Sequence, residues 1–192
     1  MLKRSLATEF TAEQYLALED VSDTKHEFYD GKIYDMAGGT PDHNLVSANM
    51  ITALNNALAQ TPCRVFDSDM RILIEDEELY THPDVSVVCG KMQFDPKSKS
   101  TLTNPIVLVE AMSPSTRAYD RGAKFKFYKK IPSLQELVLV ESERAHVEVL
   151  RRIPRGQWTI EIYNDLDAVA VLKTIEGEIS LRQIYAKVTW LD

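Results

Sequence analysis

Two acidic residues stand where strands would not want them. The stretch HPDVSVV puts Asp84 at the head of an apolar run, and IVLVEAM puts Glu110 inside one. Strands buried on both faces read as near-continuous Val/Ile/Leu runs, and a carboxylate among them is costly unless it is paired or holds a metal. Neighbouring strands lie roughly 5 Å apart, so these carboxylates meet if their strands are adjacent. At that separation they repel, and a divalent cation between them is the natural neutraliser. The main-chain carbonyl of Ala111, beside Glu110, is placed to turn inward as a third oxygen ligand. Lys124 and Lys126 follow in RAYDRGAKFKFYKKI, and either would supply positive charge. Carboxylates for an ion, a water beside it and a cation on the non-bridging oxygens are what metal-assisted phosphodiester hydrolysis requires.

The elements that must position these groups follow from periodicity and punctuation. Thr11-Ala-Glu-Gln is a capping signature and predicts a short helix to about Asp20. Asp30-Gly31 between Lys25–Tyr29 and Lys32–Met36 predicts a hairpin that carries Glu27. Gly38-Gly39 breaks the chain, and Thr40-Pro41 opens a helix from Asp42 to Gln60, with Val46, Met50, Ala53/Leu54 and Ala57/Leu58 at helical spacing. Cys63 to Ile74 reads as a strand with a polar interruption at Asp67–Asp69, and Glu75–Glu78 as a solvated turn. The Asp84 strand, a loop from Lys91 to Thr103 and the Glu110 strand come next. A helix is predicted from about Arg117 to Ile131. Glu136–Val140 and Ala145–Leu150 read as a hairpin, Gln157–Tyr163 and Ala168–Leu172 as strands, and Leu181–Tyr185 as a closing helical turn. This order predicts one α/β domain over residues 1–192 with a mixed central sheet.

Composition narrows the class. The chain has 192 residues, 44% hydrophobic and 27% charged, which suits a globular domain with a proper core. No apolar run approaches the roughly 20 residues of a membrane span. MLKRSLATEF is briefly basic without an apolar stretch behind it, so no signal peptide is read. Cys63 and Cys89 are far apart without a CxxC and read most simply as free thiols, in keeping with a cytoplasmic protein. The net charge of −7 argues against a strong nucleic-acid binder, although RAYDRGAKFKFYKK is locally basic.

Other chemistries fail on spacing. His26-Glu27 begins an HExxH, but position 30 is Asp. Four histidines without paired spacing and two lone cysteines make no zinc site. GxSxG, GxGxxG and GxxxxGKS are absent. His43, in the first turn of its helix, reads as a capping or surface histidine.

Pro83-Asp84 followed by Glu110-Ala111-Met112 resembles the PD-(D/E)xK nuclease pattern. The strings HEFYDGKIYDMAGGTPDHN, SDMRI, PDVSVV, LVEAMSPST, YDRGAKFKFY and IPSLQELVLV are together similar to the Uma-two family of restriction-type endonucleases within that superfamily. The resemblance implies a restriction-endonuclease-like core, a mixed sheet flanked by helices, with an N-terminal helix and hairpin and a β-rich C-terminal part. It implies a magnesium- or manganese-dependent endonuclease that hydrolyses DNA with a metal-activated water. Glu27, Asp84, Glu110 and Lys124 would form the catalytic quartet, and Asp84, Glu110 and the Ala111 carbonyl would hold the ion. One departure concerns the lysine, which the pattern puts two residues after the second acid, where this chain has Met112. Lys124 matches a K-x-x-x-Y step ending at Tyr128, with Lys126 as the fallback. The alternative expectation is a catalytically weak or inactive nuclease fold kept as a nucleic-acid-binding or regulatory module; the acidic charge and the displaced lysine weigh against catalysis. A homodimer is expected for duplex cleavage, with its contact at an exposed apolar strand around Ala168–Leu172.

Overall fold

A computed structural model describes residues 9–36 and 38–191. Most of the N-terminal stretch read for a leader, residues 1–8, lies outside the described residues. Among the described residues no helix is long and apolar enough to cross a membrane.

Thr11 caps α1 (Ala12–Glu19): its hydroxyl accepts the Gln14 N–H, and the Gln14 side chain accepts the Thr11 N–H. β1 (His26–Tyr29) and β2 (Lys32–Asp35) pair antiparallel around Asp30 and Gly31, whose φ angles of 51° and 69° give the two-residue turn that matches strand twist. α2 (Pro41–Ala57) is capped by the Thr40 hydroxyl, which accepts the His43 N–H. It stops short of the predicted Gln60, because the chain turns at Leu58, whose carbonyl accepts the Thr61 N–H.

The run from Cys63 to Ile74 is two strands, not one. β3 (Cys63–Asp67) and β4 (Arg71–Ile74) lie in different sheets, and the polar interruption is the turn between them, closed by the Asp69 N–H on the Asp67 carboxylate. β5 (Leu79–Thr81) and β6 (Val85–Cys89) follow. The predicted loop from Lys91 to Thr103 holds a hairpin, β7 (Phe94–Asp95) and β8 (Ser98–Leu102), because β8 finds a parallel partner in β4. After β9 (Val107–Met112) comes a helix in three parts: α3 (Arg117–Tyr119), a π-helical turn (Asp120–Lys124) and α4 (Phe125–Tyr128). It ends at Tyr128 rather than Ile131. β10 (Glu136–Glu141), β11 (Val147–Arg152), β12 (Trp158–Tyr163), β13 (Val169–Leu172), β14 (Gly177–Ser180) and α5 (Leu181–Ile184) complete the order. β14 was not predicted, since GEIS is too short to show a period.

The strands divide into a first sheet ordered β2-β1-β5-β4-β8-β7, a second ordered β12-β11-β10-β9-β6-β3, and the β13-β14 hairpin. The expected central sheet is therefore the second of two large mixed sheets. Its one parallel pair is β9 and β10, and the 117–128 helix lies in the crossover that a parallel connection needs. One face of this sheet carries Val85, Val109 and Val138 against α2, α5 and β14. The other carries Leu108, Met112 and Leu139 against Tyr128 and Ile131 of the crossover and Ile72 and Leu102 of the first sheet.

Two further expectations are corrected. Cys63 and Cys89 form a disulfide, because antiparallel β3 and β6 set them directly opposite each other. The Ala168–Leu172 strand is exposed only in part: Val169 is 42% exposed, but Ala170 and Leu172 are buried in the core, and β14 pairs with the strand.

Candidate active site

β6 and β9 pair with Val85 opposite Val109, so Asp84 and Glu110 are the next residues along two adjacent strands. Both are turned away from the valine-lined face, and both line a cleft of about 290 Å³. The cleft also takes in Glu27, His43, Asp120 and Lys124. All four residues of the expected quartet thus face one cavity, although Glu27 comes from the first sheet, Asp84 and Glu110 from the second, and Lys124 from the helix. Lys126 is exposed on the other side of that helix.

Each group is held by identifiable neighbours. Glu110 is buried at 4% exposure; its Oε1 accepts the Tyr128 O–H and lies 2.9 Å from Lys124 Nζ. Lys124 is also buried and lies 4.0 Å from Asp120, one turn earlier. Burial raises the Glu110 carboxyl to about 8; Lys124 opposes that shift, while Asp84 and Asp120 add to it. Burial works against the Lys124 charge, but the surrounding acidic groups, Glu110 foremost, outweigh it and raise its pKa. Glu27, opposite Tyr34 in the hairpin, accepts the Thr81 O–H and is 7% exposed. Asp84 Oδ2 accepts the Ala111 N–H at 2.7 Å, which fixes that carboxylate against β9.

His43 lines the same cleft, although its place in the first turn of its helix reads more readily as a capping or surface position than as a base. Its Nδ1 donates to the Ala111 carbonyl at 2.9 Å, and its Nε2 lies 3.1 Å from Asp84 Oδ1. A carbonyl and a carboxylate both accept, so both contacts together need a hydrogen on each ring nitrogen. The hydrogen bond to Asp84 raises the His43 pKa against the opposing pull of burial. The ring therefore lies between two of the oxygens expected to hold a metal. Spacing could not show this, because His43 and Ala111 are 68 positions apart. Tyr128 and Asp120 were also missed as partners, although both fall four residues from Lys124, the spacing of helix neighbours.

The helix that delivers Lys124 is fixed by a ladder of ion pairs. Arg117 donates to Glu141 through Nε at 2.8 Å, and Arg121 donates to Glu148 through Nε at 3.2 Å and lies 3.3 Å from Glu141. Glu141, Glu148 and Glu110 lie on three consecutive strands of the second sheet, β10, β11 and β9, so Arg117, Arg121 and Lys124 each find an acid beneath them. The π-helical turn spans Arg121 and Lys124; such insertions shift helix register and recur at functional sites.

Can these groups hold a divalent ion? Five carboxylates, Glu27, Asp35, Asp84, Glu110 and Asp120, share the cleft with only Lys124, His43 and His82 as potential cations. Among the described residues no three His, Cys, Asp or Glu side chains form a closed metal cage. An open site of two carboxylates and a carbonyl, with water for the rest, is nevertheless the donor set magnesium takes. Burial raises the Glu110 carboxyl and the Asp84 and Asp120 charges add to it, and a cation there would oppose both effects. The donor chemistry fits.

Comparison with known proteins now places the chain. It is 39% identical over 173 residues to the uncharacterized protein slr1290 of Synechocystis, covering 90% of each chain. It is 34% identical over 150 residues to the uncharacterized protein sll1609 of the same organism, covering 78% of this chain and 85% of that one. A crystal structure titled as a putative nuclease belonging to DUF820, from Anabaena variabilis, matches with a TM-score of 0.74 over 95% of this chain and 99% of that chain. At 19% identity that likeness is one of fold, and the fold is consistent with a restriction-endonuclease-like core. The family model Uma2, described as "Putative restriction endonuclease", matches residues 12–183, and the chain belongs to that family.

Proposed function

We propose that this chain is a magnesium- or manganese-dependent endonuclease that hydrolyses DNA phosphodiester bonds, working as a single domain and as a homodimer when both strands of a duplex are cut. The observation that carries the reading is the convergence of Glu27, Asp84, Glu110 and Lys124 on one cleft from two sheets and a helix. Asp84, Glu110 and the Ala111 carbonyl would hold the ion. When bound, such an ion supplies charge opposite the phosphate oxygens and makes water a competent nucleophile at neutral pH. Lys124, 2.9 Å from Glu110, would hold the attacking water or offset charge developing on the phosphoryl oxygens. Glu27, held on one oxygen by Thr81, would orient that water. His43 would have to release Asp84 and the Ala111 carbonyl as the site fills. Action in the cytoplasm is part of the proposal.

One observation favours a second reading, a nuclease fold kept for binding or regulation: the His43 ring occupies the oxygens an ion needs. The test is cleavage of single- and double-stranded DNA with Mg2+ or Mn2+ by wild type, Asp84→Ala and Lys124→Met. Cutting by wild type should fall in each variant by at least about 100-fold. Cutting that survives Asp84→Ala would refute the site, and a wild type that binds DNA without cutting in either metal would support the second reading.

A further inference from the structure

The active-site cleft makes no use of the far edge of the second sheet. There β12 pairs with β11 on one side and with no strand on the other among the described residues. An open edge presents unpaired N–H and C=O groups, and proteins usually guard it with charge, proline, a bulge or short length. β3, the opposite edge, follows that rule, with Arg64 and Asp67 at its exposed positions. β12 does not. It is six residues long, and Ile160 and Ile162 are each 55% exposed, second only to Val21 among the exposed large apolar side chains. Register puts Trp158, Ile160 and Ile162 opposite Arg152, Leu150 and Glu148, so all three share the face that carries the 117–128 helix. An apolar stripe thus runs along an open edge. Exposed Arg155 precedes the strand and exposed Asp165 follows it.

We infer that a second copy of this chain pairs with β12, antiparallel and about a twofold axis, so that the second sheet continues across both subunits. A strand basic at one end and acidic at the other is complementary to itself when turned end for end. For the two sheets to share faces, the axis must pass through a residue, because a one-residue slip sends every side chain to the other face. An axis at Glu161 would set that carboxylate against its own copy, and like charges directly opposite are unfavourable. An axis at Ile160 avoids this. Ile160 then meets its own counterpart, Ile162 packs on Trp158 of the partner subunit, Glu161 faces Thr159 of the partner subunit, and Arg155 reaches Asp165 of the partner subunit. This interface requires no nuclease activity.

The test is sedimentation velocity of the full chain across the micromolar range. The wild type should dimerise with concentration. Ile160→Lys combined with Ile162→Lys should sediment as a monomer with an unchanged melting temperature, since both side chains are already exposed. Arg155→Asp alone and Asp165→Arg alone should each weaken the dimer about tenfold, the equivalent of two exposed ion pairs lost by symmetry. Combining the two reversals should restore it. A monomeric wild type, or a dimer indifferent to the double lysine variant, overturns the proposal; a charge swap without recovery overturns the register.

Discussion

Replacing Glu110 with Gln tests the electrostatics of the cleft without emptying it, because the amide keeps the shape and gives up the charge. Burial, with Asp84 and Asp120 adding to it and Lys124 opposing, moves the Glu110 carboxyl from an ordinary 4.5 to about 8. Below the ordinary value both the folded and unfolded chains hold the proton, and the group costs nothing. As pH rises toward 8 the unfolded chain gives the proton up while the folded chain keeps it, so wild-type stability falls; above about 8 the full cost is present. A gap of about 3.5 pH units at about 1.4 kcal/mol each sets a ceiling near 5 kcal/mol, and repartnering of Lys124 makes about 2–5 kcal/mol the working expectation. Urea unfolding followed by the fluorescence of Trp158 and Trp190 should show Glu110→Gln gaining on wild type by that amount between about pH 5 and about pH 9. Divalent metal should close the gap. At a hundredfold excess over its dissociation constant an ion adds about 2.7 kcal/mol to the protein that binds it, and Glu110→Gln should lose that gain. Parallel pH profiles for the two proteins, with equal responses to Mn2+, would refute both the burial argument and the assignment of Glu110 to an ion.

Two other perturbations separate neighbouring roles. His43→Ala frees the Ala111 carbonyl and Asp84 Oδ1 from the imidazole. Calorimetric titration should then show tighter Mn2+ binding than wild type; weaker binding would mean that the ring supports the site instead of competing for it. Arg151→Ala strands Glu136, which is fully buried and also accepts the N–H groups of Lys173 and Thr174. Breaking a buried pair from one side costs roughly 3–5 kcal/mol in urea unfolding. A loss below about 1 kcal/mol would show that the two backbone donors satisfy Glu136 unaided.

Local signals were legible where chemistry is local. The Thr11 capping box, the Asp30-Gly31 turn and the Thr40-Pro41 helix start rest on contacts within about four residues, and each formed where the sequence placed it. Segments whose state depends on a distant partner were read less well. β8 became a strand because β4 accepted it, and the 63–74 run split because its halves joined different sheets. The buried acid of IVLVEAM was conspicuous in one dimension, because a carboxylate in a valine run breaks the pattern. His43 was not, since a histidine in a polar first turn breaks nothing.

The sequence by itself therefore determined the locally encoded elements, the family to which the chain belongs and most of the residues able to do chemistry, because composition, period and capping are written along the chain. Only the tertiary structure decided which of them meet. It turned Lys124 inward and left Lys126 in solvent, set His43 between Asp84 and Ala111, joined Cys63 to Cys89, and moved the exposed apolar strand from β13 to β12. Strand order and helix rotation fix those outcomes, and both are settled by the packing of the whole core.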